Sequence, residues 1–86
     1  MAKAQDQEFE GRHIKKGRDR IITRSLISKG EPYIDIRTYY EDDESGEWLP
    51  TKKGVRLHCE MIPTLLEQIQ QSLDEVDEVL AVGVKH

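Results

Sequence analysis

From Tyr33 to Tyr40 the chain alternates strictly, with Ile34, Ile36 and Thr38 on one side and Tyr33, Asp35, Arg37 and Tyr39 on the other. A period of two is that of a strand, and one apolar side against one polar side describes a sheet with one face open to water. The preceding segment, residues 20–28, is rich in β-branched residues and runs into Lys29-Gly30, a turn signal, so the two segments read as a hairpin. Glu41 to Gly46 can bury nothing, and Ser45-Gly46 supplies a second turn. Short strands are expected over 47–50 and 54–57, separated by Thr51-Lys52-Lys53-Gly54. Then the period changes: Ile62, Leu65, Leu66, Ile69, Leu73, Val76 and Leu80 recur at spacings of three and four. That stripe predicts a helix over about 60–81, with Pro63 in its first turn, where its missing N–H costs nothing, and Gly83 as its stop. Strands followed by a helix give an α+β fold, with the helix laid across the apolar face of the sheet.

Residues 1–19 are polar, with few apolar anchors; Phe9 and Ile14 could begin a short strand, but most of the stretch is expected to form a mobile, basic N-terminal arm. The domain proper is expected over 20–82, with a short tail at 83–86. The chain has 86 residues, of which 36% are apolar and 35% charged. A domain of this size buries only about 60–65% of its unfolded surface, so the composition favours a dimer that shares its core.

Functions can be excluded by what is missing. There is no G-x-S-x-G, no Walker loop and no G-x-G-x-x-G, and the adjacent pair His58-Cys59 suits a helix cap better than a catalytic dyad. The carboxylates fall in an acidic turn and on a solvated helix face, where general acid chemistry is poorly supported, so no enzyme and no cofactor are expected. His13, His58 and His86 share no ligand spacing with Cys59, so no metal site is expected. The lone cysteine excludes an internal disulfide, and there is neither an 18-residue apolar run nor an N-terminal apolar h-region. The expected setting is therefore a reducing one away from membranes: the cytoplasm, nucleoid-associated, or the nucleus if the source is eukaryotic.

The formal net charge of −4 conceals segregation. Residues 11–37 carry eight cations against Asp19, Glu31 and Asp35, whereas residues 38–50 carry only carboxylates. The cations fall mostly on predicted strands and the anions on a turn and a helix, so an acidic protein can still present one basic face. Two stretches carry this signal: Tyr33–Tyr40 mixes Arg37 with tyrosines, and Leu49–Leu57 follows with the Lys52-Lys53-Gly54 loop and Arg56. Cations neutralise a phosphate backbone and flat rings stack on unpaired bases, which are the two requirements of single-strand binding.

The order Ile34-Asp35-Ile36-Arg37, Tyr39-Tyr40, Gly46, Pro50, Lys52-Lys53-Gly54-Val55, Leu57 and Leu65-x-Glu67-Gln68-Ile69 resembles the transcriptional coactivator family named positive cofactor four, over roughly residues 20–80 and in a bacterial-type or phage-type form. The resemblance implies a homodimer of curved four-stranded antiparallel sheets, each followed by a long helix at the interface. It also implies binding of single-stranded DNA along concave basic strands with little sequence preference. On this chain it places Arg37 on the phosphate backbone, Tyr40 in the place of a stacking aromatic, and Lys52 and Lys53 at the basic loop. Lys29 falls in the first hairpin, where the family also carries basic residues. Strict alternation sets Tyr40 on the Ile34 side, which leaves Tyr39 a competitor for the stacking role, and makes Asp35 a structural partner of Arg37 rather than a ligand contact.

The expected interface is thus Arg24, Lys29, Arg37, Tyr39, Tyr40, Lys52 and Lys53. Ile62, Leu65, Leu66, Ile69, Leu73 and Val76 form the core or dimer stripe. The expected partners are single-stranded DNA, with RNA equally served by the same chemistry, a second copy of the chain, and the transcription machinery. The expected role is in transcription regulation or in protecting exposed single strands. The alternative is a dimeric interaction module that offers its acidic turn and helix to a basic partner.

Overall fold

In the computed structural model, which describes residues 6–82, the chain forms one antiparallel sheet and one long helix. The strands are β1 (Gln7–Glu8), β2 (Arg12–Lys16), β3 (Asp19–Ser28), β4 (Glu31–Glu41) and β5 (Trp48–His58). A 3-10 turn, Cys59–Met61, leads into α1 (Ile62–Ala81). The expected α+β architecture is therefore present. The sheet runs β1-β3-β4-β5, with β2 sharing the outer edge of β3 with β1.

The β3–β4 hairpin turns on Lys29 (φ 53°) and Gly30 (φ 79°). Two successive positive φ values are the signature of a type I′ turn, whose twist suits a two-residue hairpin. Beyond it β3 and β4 pair without interruption from Ser28↔Glu31 to Arg20↔Tyr39. The expected mobile arm is corrected in part. Gln7–Glu8 pairs with Leu26 and Ile27, and Arg12–Lys16 pairs with Asp19–Thr23, so edge hydrogen bonds order a segment that carries little apolar anchorage. The remainder of that arm, residues 1–5, lies outside the described residues, as do Gly83 and the tail.

The two short strands expected at 47–50 and 54–57 are one strand. The ladder with β4 steps from Arg37↔Gly54 to Tyr39↔Pro50, so Thr38 faces a bulge at Thr51, Lys52 and Lys53. Thr51 closes it: its hydroxyl donates to the Thr38 carbonyl (2.8 Å) and accepts the Lys53 N–H (3.1 Å). Because two residues rather than one are added, every β5 side chain keeps the face that alternation assigns it.

The register sorts the sheet into two faces. Arg20, Ile22, Arg24 and Leu26 of β3 stand beside Tyr39, Arg37, Asp35 and Tyr33 of β4, with Arg56 and His58 of β5 opposite Asp35 and Tyr33. On the reverse face, Ile21, Thr23 and Ser25 stand beside Thr38, Ile36 and Ile34, with Val55 and Leu57 beyond. Leu26 and Tyr39 are the buried hydrophobic residues among those described.

The helix does not lie across the apolar face, contrary to expectation. α1 packs on the 3-10 turn that precedes it and makes at most marginal contact with the strands. Its stripe is exposed at Leu66, Ile69, Leu73, Val76, Val79 and Leu80, and Val55 on the sheet is half exposed. The radius of gyration is 17.1 Å, against about 12 Å for a compact domain of this length. His58 holds the junction: Nδ1 accepts the Glu60 N–H (3.1 Å) and Nε2 meets Glu31 (2.9 Å), so His58-Cys59 is a cap region.

Gly54 lies close against the backbone of β4. A Cβ there would stand 2.5 Å from the Ile36 carbonyl oxygen and 2.7 Å from the Arg37 Cα, both backbone atoms that cannot rotate away. Gly54→Ala is expected to destabilise the fold by about 1–3 kcal/mol, read as a lowered urea midpoint with an unchanged slope.

Candidate functional site

The centre of the polar sheet face is organised by one carboxylate. Asp35 is 2% exposed, yet it sits between two arginines. Arg37 Nε donates to Oδ2 (3.2 Å) and Nη2 to Oδ1 (3.0 Å), a bidentate pair, while Arg56 Nε lies 3.5 Å from Oδ1. Arg37 Nη1 also donates to the Thr51 carbonyl (3.1 Å), which ties the pair to the bulge in β5. The hydrogen bond to Asp35 raises the Arg37 pKa above the ordinary arginine value, so its charge is permanent. A buried carboxylate with both oxygens engaged meets the rule that buried charge must be paired. Asp35 is thus a structural partner of Arg37, as the alternation implies.

Around this pair lies an open depression lined by Arg24, Arg37, Lys52 and Arg56, with Glu8 and Asp35 as its carboxylates. Four cations against two carboxylates leave a positive excess. Tyr39 and Pro50 complete the floor. Tyr39 is only 7% exposed, so its ring supports the arginines rather than offering a free stacking surface.

A second depression lies at the end of the sheet away from the Lys29-Gly30 turn. It is lined by His13, Tyr40 and Trp48, by the cations Lys15, Arg18 and Arg20, and by as many carboxylates, Asp19, Glu41 and Asp43. The Arg20 guanidinium lies 4.1 Å from the Trp48 ring centroid, a cation–π contact. Tyr40 pairs with Leu49 on the reverse face, but its half-exposed ring reaches this depression at the end of β4.

Of the expected interface residues, the fold brings Arg24, Arg37, Tyr39 and Lys52 to one depression and Tyr40 to the neighbouring one. Lys29 and Lys53 line neither. Lys29 is in the far turn, where its N–H donates to Asp6 Oδ1 (2.7 Å). Arg20, Trp48 and Arg56 were not among the expected residues. Arg56 was legible as the cation two places after Gly54, and Arg20 as one placed before a β-branched run. The contact between Arg20 and Trp48 was not, since it depends on the register of three strands.

The acidic turn is ordered by its first aspartate. Asp42 Oδ2 accepts the Ser45 N–H (2.9 Å) and the Ser45 hydroxyl (2.7 Å), and Gly46 (φ 74°) lets the chain return to Trp48. These hydrogen bonds to the charged form, that from the Ser45 hydroxyl foremost, lower the Asp42 pKa. Among the described residues no three His, Cys, Asp or Glu side chains gather as a metal site, and no helix is long and apolar enough to cross a membrane.

Residues 27–68 match the sequence profile of the family described as Transcriptional Coactivator p15 (PC4). The match runs from the end of β3 into the second turn of α1 and supports the resemblance carried by the Ile34-Asp35-Ile36-Arg37 and Lys52-Lys53-Gly54 motifs. No curated protein matches the chain, and no solved structure does.

Two measurements check this site. Asp35→Ala leaves Arg37 and Arg56 without their shared carboxylate and is expected to cost about 3 kcal/mol in denaturant unfolding, the low end for orphaning a buried pair, because Arg56 is half exposed. For Asp42 the folded pKa lies below the unfolded one, so its stabilising effect is present above the ordinary carboxylate range and is lost as pH falls through the folded value. An NMR titration is expected to place the Asp42 midpoint below that of a free aspartate, and Ser45→Ala to raise it.

Proposed function

We propose that this chain is a non-enzymatic single-strand nucleic-acid binder that works as a homodimer in transcription, with the polar sheet face as its binding surface. The observation that carries the reading is the convergence of Arg24, Arg37, Lys52 and Arg56 on a face that the helix leaves open. Phosphates occupy that depression, and unpaired bases extend toward the Arg20–Trp48 pair and the half-exposed Tyr40 ring. The similarity of residues 27–68 to a transcriptional coactivator family supports the same reading. Single-stranded DNA is the ligand that the family resemblance favours. Contacts to phosphate and base faces carry little sequence information, so little sequence preference is expected.

The homodimer follows from the unpartnered apolar surface. The helix stripe from Leu66 to Leu80 and Val55 on the reverse face of the sheet are exposed in one chain, and a second copy would supply matching surface to cover them. Leu65 and Ile62 of the same stripe are half buried at the start of the helix.

Fluorescence anisotropy with a labelled single strand of roughly 20 nucleotides, over a range of salt, tests the proposal. Affinity is expected to fall with salt at a slope near −0.7 per phosphate contacted, and the duplex to bind more weakly. Lys52→Ala should flatten the slope by about 0.7. Trp48→Ala and Tyr40→Ala should each cost roughly 1–3 kcal/mol with the slope unchanged. Lys52 is the better probe than Arg37, whose removal also orphans Asp35. Absence of salt-sensitive binding would overturn the proposal in favour of a protein-interaction module.

A further inference from the structure

Of the four cations around the central depression, Arg24 already holds an anion of a different kind from Asp35. Its Nη2 lies 2.6 Å from Glu8 Oε1, and that glutamate side chain is 71% exposed. Glu8 is carried by β1, which pairs with β3 over two residues and is extended only by the Phe9 N–H to the Ser25 carbonyl (3.2 Å) and the Asp6 contact with the Lys29 N–H. Every residue from Asp6 to Glu10 is exposed. A strand held by so few bonds and no buried side chain opens at small free-energy cost.

The Arg24 pairing is also incomplete. Glu8 engages one terminal nitrogen, while Arg24 Nε is buried with no hydrogen-bond partner. A guanidinium satisfies phosphate or carboxylate best through two parallel N–H groups. A phosphodiester, with two non-bridging oxygens, can take the Nε and Nη2 donors together once Glu8 has withdrawn.

Resting on the strand-binding reading above, we infer that Glu8 is an exchangeable internal counter-ion that occupies a phosphate position on Arg24, and that β1 is a strap which a bound strand must displace. The buried Asp35 orients its arginines permanently. The exposed Glu8 weakens binding by competing with phosphate and disfavours ligands too short to displace it.

The test uses the full chain and a labelled oligothymidylate of roughly 20 nucleotides at low salt. Glu8→Gln is expected to bind about three-fold tighter, the scale of one exposed ion pair. Glu10→Gln removes the same charge from a residue that makes no ion pair among the described residues, and should give a smaller gain. The Glu8→Gln gain should vanish when Arg24→Ala is also present. On titration of the wild type with the strand, the Phe9 amide resonance should move to a random-coil position. Equal affinity of Glu8→Gln and wild type, equal gains at Glu8 and Glu10, or an unmoved Phe9 amide in the bound state would overturn the strap while leaving strand binding intact. Absence of binding by both wild type and Glu8→Gln would overturn the strand-binding reading and the strap with it.

Discussion

A buried carboxylate at the middle of β4 lets this sheet concentrate positive charge on one face. Arg24, Arg37 and Arg56 occupy neighbouring positions on three adjacent strands, with Asp35 between them, and like charges at such spacing oppose strand pairing. Asp35, engaged by Arg37 through both oxygens and by Arg56 through one, turns that repulsion into a cross-strand clamp. The Arg37 bond to the Thr51 carbonyl extends the clamp to the bulge, and Gly54 permits the close approach of β5 to the β4 backbone beside it. Basic face, bulge and tight strand approach are therefore one construction.

A single-layer sheet with a detached helix has no second layer to complete its core. The two buried hydrophobic residues among those described are too few to hold a domain of this length, so the ladders and the clamp take a large share of that task. The same absence of cover keeps the arginine face accessible. The arginine face also carries the two buried hydrophobic residues among those described, Leu26 and Tyr39, so cations and apolar contacts share it, while α1 carries the exposed apolar stripe.

Much of this was legible in the residues. The period of two from Tyr33 to Tyr40, the Lys29-Gly30 turn, the acidic turn and the stripe from Ile62 to Leu80 all have strong local signals, and each lies where the pattern puts it. The continuity of β5 was not, because Pro50 and Lys52-Lys53-Gly54 carry the local marks of a loop. Pro50 is tolerated because, among the described residues, β5 is an edge strand. The strands at Gln7–Glu8 and Arg12–Lys16 were hidden for the opposite reason: their order comes from hydrogen bonding to the edge of β3, which leaves no hydrophobic trace. At the candidate site, Arg24, Arg37 and Lys52 were readable as cations on one face, whereas the alliance of Glu8 with Arg24 spans sixteen residues and has no local signature.

The sequence by itself determined the β3–β4 hairpin, the helix and which side of β4 is polar, because a period of two or of three and four is a local property of the chain. It also determined the segregation of charge along the chain. Only the tertiary structure decided which cations converge, that Tyr39 is buried while Tyr40 stays open, and that the helix stands clear of the sheet. Those outcomes depend on register, on the bulge opposite Thr38 and on the direction in which the 3-10 turn releases α1. Each of these is set by contacts between residues far apart in the chain.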